Sequence, residues 1–446
     1  MEKIPSAPPI AEGKLFFEFP HIEKISLNEH LEVSIYEDKT QPLFIASAIF
    51  SVGSLGESLP GLTSFTALML TRGAAGLGAM ELSEEVDRLG ANLSASCNWE
   101  NSYVTISALA GYSPEALEIL SRCAMESDLP DEEVERLRIK VTADVRQYRS
   151  DPSYLAQYAL NATIFKGHGY ANPRIGTIES IAEITREQCV ARYEQMKRTG
   201  KIKLILAGNF NREETLRLAE DLFSRRRETV APVRVAVPDK FIGGKIALIN
   251  KPEAVQSSLR MGKNSININH PDYPALQVVN ACFGGYFMSR LNESLRERKG
   301  YTYGIHSYFD SRRDACNLVV ASNLNTDSLV DSIATIKDEM RRIAAEPIPE
   351  EEARRAVQFM LGAFARSTET PMQIAGFIHN LLIHNLDYDY YNRLYSDIAE
   401  AKPEDIERVK GVYMAPENLV FAVSGELDTL VNILKELGEP ELISTD

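Results

Sequence analysis

Side chains able to do chemistry are sparse in this sequence, which contains seven histidines and five cysteines. Neither H-E-x-x-H nor H-x-x-E-H occurs, although these are the helical spacings that place two imidazoles on one metal ion. His379 and His384 are five residues apart, or about 140° around a helix, so they cannot share a metal. The histidine pattern therefore excludes a self-contained zinc site on one helix.

Other catalytic motifs are also missing. There is no G-x-S-x-G nucleophile elbow, and Gly262-Lys263-Asn264-Ser265 lacks the upstream glycine of a phosphate loop. The glycine-rich stretch 73–78 follows a helical pattern instead of a strand, which indicates a loop that needs backbone freedom. His168 lies between two glycines, and we expect it in an exposed turn. The cysteines are odd in number and scattered, which argues against a disulfide scaffold and favours a reducing compartment.

The composition is that of a globular protein with an acidic surface. The 446 residues carry 48 Lys and Arg against 63 Asp and Glu, a formal charge of −15. This balance argues against a nucleic-acid-binding protein, because phosphate contacts need clustered cations. No apolar stretch reaches the ~18 residues of a membrane helix, and no signal-peptide core is visible. We expect a cytoplasmic protein without a membrane span. The periplasm is the alternative compartment if a signal peptide was removed.

The elements that must position any site come from an internal repeat. Residues 181–210 align with residues 398–427 without a gap, and each copy predicts a helix entered at Ile-Ala-Glu and then a buried strand. Upstream, helical patterns over 131–149 and 350–368 precede Pro152 and Pro371, each of which opens a further helix. Helices over 81–89 and 288–299 each stop at a glycine, and two alternating strands follow each of them.

The repeat predicts two homologous tandem domains of about 210 residues each. We place them at 14–226 and 244–440, with the proline-containing segment 227–243 as the linker. Each copy mixes antiparallel-looking strands with long amphipathic helices. The predicted class is therefore α+β, with a mostly antiparallel sheet and helices on one face of each domain, together forming a clam-like half-chamber.

Several segments, spread in order over almost the whole chain, resemble the pitrilysin/insulinase family of zinc metallopeptidases. The resemblance is strongest to its short-chain branch, which includes the mitochondrial processing peptidase subunits. The matching segments are residues 61–73 (GLTSFTALMLTRG), 168–181 (HGYANPRIGTIESI), 284–291 (GGYFMSRL) and 295–304 (LRERKGYTYG).

The resemblance also identifies what this chain has lost. Catalytic members of the family carry H-x-x-E-H on the helix after the first glycine, and here the three ligand and base positions hold Ser64, Ala67 and Leu68. The position of the third zinc ligand, a glutamate, holds Asp144. We expect no metal in this chain and no peptidase activity from it alone.

A second set of family residues is retained. Active members use an arginine and a tyrosine seven positions apart, which correspond to Arg296 and Tyr303. A guanidinium and a phenol are suited to hold a peptide carbonyl and its developing oxyanion. We expect Arg296 in the last turn of its helix, Gly300 ending that helix, and Tyr303 on the next strand. Gly284 and Gly285 resemble the family's glycine-containing helix end near the substrate, and a plain helix C-cap is the alternative.

Loss of one set and retention of the other imply the non-catalytic subunit of a heterodimeric zinc metallopeptidase. The partner would be a related chain with an intact H-x-x-E-H and its zinc, and the pair would hydrolyse short or unfolded peptides with Arg296 and Tyr303 acting in trans. The alternative is an inactive structural or peptide-binding subunit with no role in proteolysis. The −15 charge suggests a chamber wall that disfavours acidic peptides.

Overall fold

Two six-stranded sheets dominate the computed structural model, which describes residues 18–223, 229–232, 237 and 243–445. One sheet is built from residues 23–208 and the other from residues 246–442. Most of the predicted linker 227–243 lies outside the described residues, as do residues 14–17 and 224–226 of the predicted first domain. The domain boundaries therefore stay predictions.

The strands are, in chain order, β1 (Glu23–Ser26), β2 (Leu31–Glu37), β3 (Leu43–Phe50), β4 (Gly73–Ala74), β5 (Leu77–Gly78), β6 (Asn92–Cys97), β7 (Ser102–Leu109), β8 (Ile202–Gly208), β9 (Ile246–Asn250), β10 (Ser257–Asn264), β11 (Ile305–Ser311), β12 (Cys316–Leu324), β13 (Val420–Gly425) and β14 (Pro440–Leu442).

The α-helices are α1 (Leu62–Met69), α2 (Ala79–Arg88), α3 (Ser113–Met125), α4 (Asp131–Ser150), α5 (Pro152–Ile164), α6 (Ile178–Glu183), α7 (Arg186–Arg198), α8 (Arg212–Phe223), α9 (Tyr273–Asn280), α10 (Leu329–Ala345), α11 (Glu350–Arg366), α12 (Pro371–His384), α13 (Tyr390–Ala399), α14 (Pro403–Tyr413) and α15 (Leu427–Leu434). Two π-helical segments, Ala281–Gly285 and Asn292–Arg298, follow α9.

Five strands of each sheet share one topology, and the sheets with their helices confirm the predicted α+β class. Their strand orders are β1-β2-β8-β3-β7-β6 and β14-β9-β13-β10-β12-β11. In each sheet one strand pair near the centre is parallel, β2 with β8 and β9 with β13, and the pairs beyond it are antiparallel down to the edge strands β6 and β11. The edge strands at the other end differ, because β1 runs antiparallel to β2 whereas β14 runs parallel to β9.

The predicted helices α4 and α11 occur as expected, and so do the proline-opened helices α5 and α12. Asp151 caps α5 by accepting a hydrogen bond from the Ser153 N–H at 2.9 Å. Thr370 and Gln373 form a capping box at the start of α12. One detail was wrong: Ile-Ala-Glu closes a helix, α6 or α13, just before the next helix begins.

The helices α5 and α12 are exchanged between the halves. Each half packs its other helices on one face of its own sheet, and the opposite face receives a helix from the other half. Leu160 and Ile164 of α5 pack against Ala247, Val319 and Ala422 of the second sheet. On the first sheet the corresponding apolar cluster contains Ile374, Ile378 and Leu381 of α12 together with Ile45, Ile49 and Ile205. The two halves therefore share their cores.

A buried arginine lies where the two halves meet. The side chain of Arg312 is 1% exposed, and its Nη1 donates to the Tyr170 carbonyl at 2.9 Å. Its guanidinium lies over the Trp99 ring, 3.9 Å from the centroid. Such stacking keeps a desolvated cation stable, because the ring face is negative. Within the described residues no helix is long and apolar enough to cross a membrane.

Candidate functional site

The helix that the family resemblance aligns with the zinc motif is α1. It begins after Gly61, whose φ of +88° requires a glycine at that position. Ser64 and Leu68 are partly exposed and lie one turn apart, whereas Ala67 is fully buried. Ser64 lies near the thiol of Cys97 on the edge strand β6, and burial raises the pKa of that thiol to about 12. The thiol is therefore protonated at neutral pH.

Asp144, which the resemblance aligns with the family's third zinc ligand, lies on α4. Its Oδ2 lies 2.8 Å from Nζ of Lys140, one turn earlier on the same helix. Its carboxylate is thus engaged in an ordinary helix ion pair. In the part of the chain that the structure describes, no group of three or more His, Cys, Asp or Glu side chains could hold a metal ion. The residues at Ser64, Ala67, Leu68 and Asp144 do not fit zinc.

A buried network at the start of α1 escaped the sequence analysis. Glu57 accepts hydrogen bonds from the backbone N–H groups of Gly61 at 2.7 Å and Thr63 at 2.8 Å. Burial raises the pKa of the Glu57 carboxyl, and these hydrogen bonds and the Arg192 charge oppose the rise. Arg192 donates to the Thr63 hydroxyl at 2.9 Å and to the Gly53 carbonyl at 2.6 Å. This network fixes the helix that carries the lost zinc motif.

Arg296 lies in the last turn of the π-helical segment Asn292–Arg298, where π-helical geometry often marks functional sites. The helix ends at Gly300 with φ of +65°, as predicted. The Arg296 guanidinium stacks on Phe287, 3.9 Å from the ring centroid. Its Nη1 lies 3.3 Å from Oε1 of Glu297 but makes no hydrogen bond, and that atom is buried. The Nη1 group of Arg296 therefore has no hydrogen-bond acceptor among the described residues.

Tyr303 does not lie on a strand, which corrects the sequence-based expectation. The strand β11 begins at Ile305, because its pairing with β12 starts at Ile305 opposite Ser322. Tyr303 lies in the loop before β11 with 94% of its surface exposed, and its hydroxyl makes no hydrogen bond to any described residue. The side chain is free to contact a ligand. The structure records no direct contact between Tyr303 and Arg296.

Gly284 and Gly285 end the π-helical segment that follows α9. Gly284 is buried, and a Cβ there would lie 2.6 Å from Oγ of Ser307. Gly285 is exposed, and a Cβ there would lie 3.1 Å from the Asn280 carbonyl oxygen. Close packing on β11 explains the glycine at 284, and a substrate contact is open only at 285.

The loop of Tyr303 borders a polar pocket of about 250 Å³ between the two halves. It is lined by Ser153, Gln256, Arg260, Thr302, Tyr303, Gly304, His306, Ser322 and Asn323. Sequence analysis missed Arg260 and His306. The only signal was an arginine between Leu259 and Met261 on the strand β10, which is a weak one.

Comparisons with known proteins support the family resemblance. The family description "Insulinase (Peptidase family M16)" matches residues 34–178, and "Peptidase M16 inactive domain" matches residues 183–360. A Bacillus subtilis protein named "Uncharacterized zinc protease YmxG" is 23% identical over 310 residues, covering 70% of this chain and 75% of its own length. A Helicobacter pylori protein named "Non-peptidase homolog YmxG" is 22% identical over 386 residues, covering 85% and 88%.

Solved structures share the fold. A peptidase M16 inactive domain from Pseudomonas fluorescens superposes with a TM-score of 0.82 at 20% identity, covering 91% of this chain and 98% of that one. A Helicobacter pylori protease gives a TM-score of 0.81 at 17% identity, covering 92% and 100%. With the two family matches spanning most of the chain, the protein belongs to the insulinase family, peptidase family M16, as a member that lacks the family's zinc-binding residues.

Proposed function

We propose that this chain is the non-catalytic subunit of a heterodimeric zinc metallopeptidase. The partner subunit would be a related chain with an intact H-x-x-E-H and its zinc ion. This chain would contribute Arg296 and Tyr303 to the partner's site, where short or unfolded peptides are hydrolysed. The observation that carries the proposal is the state of these two side chains, since each keeps a hydrogen-bond donor that the described residues do not use.

The chemistry of the two donors supports this role. When water attacks a peptide carbonyl, negative charge develops on its oxygen, and fixed donors stabilise that charge in the transition state. Phe287 holds the guanidinium of Arg296 by stacking, which limits its motion. The phenol O–H of Tyr303, which is exposed in the loop before β11, would be the second donor to that oxygen when substrate and partner are present.

The alternative is an inactive structural or peptide-binding subunit. Arg296 is stabilised within this chain by Phe287 and by the charge of Glu297, so a purely structural role for Arg296 is physically sufficient. The exposed Tyr303 favours the catalytic proposal, because an aromatic side chain that is 94% exposed contributes nothing to the core.

The test is a mixing experiment. The purified chain is combined with an M16 chain from the same genome that carries H-x-x-E-H, and hydrolysis of a quenched fluorescent peptide is followed. We expect the mixture to cleave much faster than the partner alone and to lose activity when zinc is chelated. A mixture that cleaves no faster than the partner alone contradicts the heterodimer.

Variants then separate catalysis from assembly. Arg296→Ala and Tyr303→Phe should each lower kcat by about 10²-fold or more, since each removes a donor to the oxyanion. Assembly, measured by sedimentation, should be unchanged. The matched controls are Arg298→Ala in the same π-helical segment and Tyr112→Phe, an exposed tyrosine of the first half. If all four variants cleave at the wild-type rate, the pair is structural and the alternative holds.

A further inference from the structure

The polar pocket beside Tyr303 has walls from both halves of the chain. Ser153, in the first turn of α5, comes from the first half. The other lining residues come from the second half: Gln256 just before β10, and residues of β10, β11, β12 and the loop before β11. Because α5 lies across the second sheet, the pocket is a consequence of the helix exchange. Its volume of about 250 Å³ suits one or two small groups.

The lining of this pocket is cationic although the chain is acidic. Arg260 and His306 line it, and no Asp or Glu is among its lining residues. The chain as a whole carries a formal charge of −15. Burial lowers the pKa of His306, with the nearby charge of Arg260 as the second cause, so His306 is neutral at pH 7 and can donate or accept one hydrogen bond.

Arg260 is half-buried and has no carboxylate partner. Its Nη1 donates to Oγ of Ser258 at 3.2 Å and to the Leu259 carbonyl at 2.9 Å, and its remaining N–H groups make no hydrogen bond to the described residues. Asp151 is near enough for its charge to act on Arg260, but it forms no ion pair with Arg260. Its carboxylate instead accepts a hydrogen bond from the Ser153 N–H at the start of α5. A partly desolvated guanidinium without an anion is costly, so a bound anion would be favoured here.

A second, more apolar pocket adjoins the first. It has a volume of about 230 Å³, is lined by Pro152, Ala254 and Val255, and shares Gln256 and Asn323 with the cationic pocket. Val255 is 92% exposed, so its side chain is available to contact a ligand. The two pockets together present one positive group beside one small apolar surface.

We propose that these joined pockets bind the C-terminal residue of a peptide, with its carboxylate on Arg260 and His306 and its side chain against Val255. One guanidinium matches the single charge and planar fork of a carboxylate, whereas a phosphate dianion usually needs more cationic groups. The inference rests on the proposed peptide-handling function, and it adds a substrate class. Because Tyr303 lines the same pocket, an anchored peptide presents bonds close to its C-terminus to that hydroxyl.

The test measures binding to the isolated chain, without a partner. The probe is an octapeptide ending in valine, labelled with fluorescein at its N-terminus, as the free acid and as the C-terminal amide. We expect the free acid to bind at least about tenfold more tightly, since the amide loses a charge-assisted hydrogen bond. Equal affinities overturn the proposal, and this comparison needs no variant to fold.

Three further arms locate the site and identify the carboxylate. Arg260→Gln should abolish the preference for the free acid, while Arg354→Gln, an exposed arginine outside the pocket, should keep it. A preference that survives Arg260→Gln overturns the assignment. An amidated octapeptide ending in glutamate should bind as weakly as the valine amide, and if it binds like the free acid, recognition of the terminal carboxylate is refuted.

The result is independent of the hydrolysis assay. If the chain prefers the free acid but its mixture with the partner hydrolyses no peptide, the heterodimeric peptidase is refuted and the carboxylate pocket is supported. Active hydrolysis without a free-acid preference refutes the pocket alone.

Discussion

Acid should destabilise the packing of α12, because two histidines of this helix are partly buried and one of them contacts the first half. Nε2 of His379 lies 2.9 Å from Oδ1 of Asn101, and its ring packs edge-on against Tyr103. Burial, and then the charge of Lys203, lowers the pKa of His379 from 6.5 to about 4. Burial, and then the charge of Arg313, lowers the pKa of His384 to about 4 as well.

The sign and size of the effect follow from proton linkage. In the unfolded chain both histidines take up a proton near pH 6.5, and in the folded chain only near pH 4, so the unfolded state binds more protons between these values. The free energy of unfolding is therefore highest above pH 6.5 and falls as the pH drops towards 4. At pH 5 the loss is about 2 kcal/mol for each histidine.

The assay is urea unfolding at intervals between pH 7.5 and pH 5, a window above the range in which most carboxylates titrate. The wild type should lose about 4 kcal/mol across it if both histidines contribute. His379→Gln/His384→Gln should flatten the curve, because glutamine can still donate to Asn101 and does not titrate. His306 stays in both proteins and contributes in the same direction. An equal slope in the wild type and the double variant would refute the burial argument.

Three other predictions follow from the same packing and from the altered zinc motif. Leu160→Ala and Ile378→Ala should each lower the free energy of unfolding by about 2–5 kcal/mol, because each side chain is at most 1% exposed in the core shared by the halves. Urea unfolding curves with two separated transitions would contradict a shared core. Gly376→Ala should raise the free energy of unfolding by about 0.5–1 kcal/mol, since Gly376 is exposed within α12 and a Cβ there would meet nothing within 4 Å; a lower value in urea unfolding would contradict this. Metal analysis of the dialysed chain should find no stoichiometric zinc, and one zinc ion per chain would overturn the interpretation of Ser64 and Asp144.

Periodicity and the repeat predicted many elements but not their partners. The helices α4 and α11 and the proline-opened α5 and α12 follow directly from apolar spacing and capping residues. The apolar face of α5 does not specify which sheet it covers, because Leu160 would be buried equally well on either one. The exchange of α5 and α12 is a property of the tertiary fold that local pattern does not carry.

In the candidate site, too, sequence predicted some features and missed those that depend on the tertiary fold. The family resemblance predicted Arg296 near its helix end, which the structure confirms, and Tyr303 on a strand, which was wrong. The alternation of Tyr301, Tyr303 and Ile305 is typical of a strand, but pairing begins only at Ile305. Sequence alone could not identify Arg260, because the meaning of a single arginine on a strand depends on whether a carboxylate faces it.

The exchanged helices make each half depend on the other for the cover of its sheet. The helix α5 covers the second sheet and supplies Ser153 to the pocket beside Tyr303. Without the first half, the second sheet would expose Ala247, Val319 and Ala422 to water, and the pocket would lose one wall. Conversely, the first sheet depends on Ile374 and Ile378 of α12 for its cover. Neither half can therefore be removed without exposing apolar surface of the other, and the surroundings of Tyr303 depend on both.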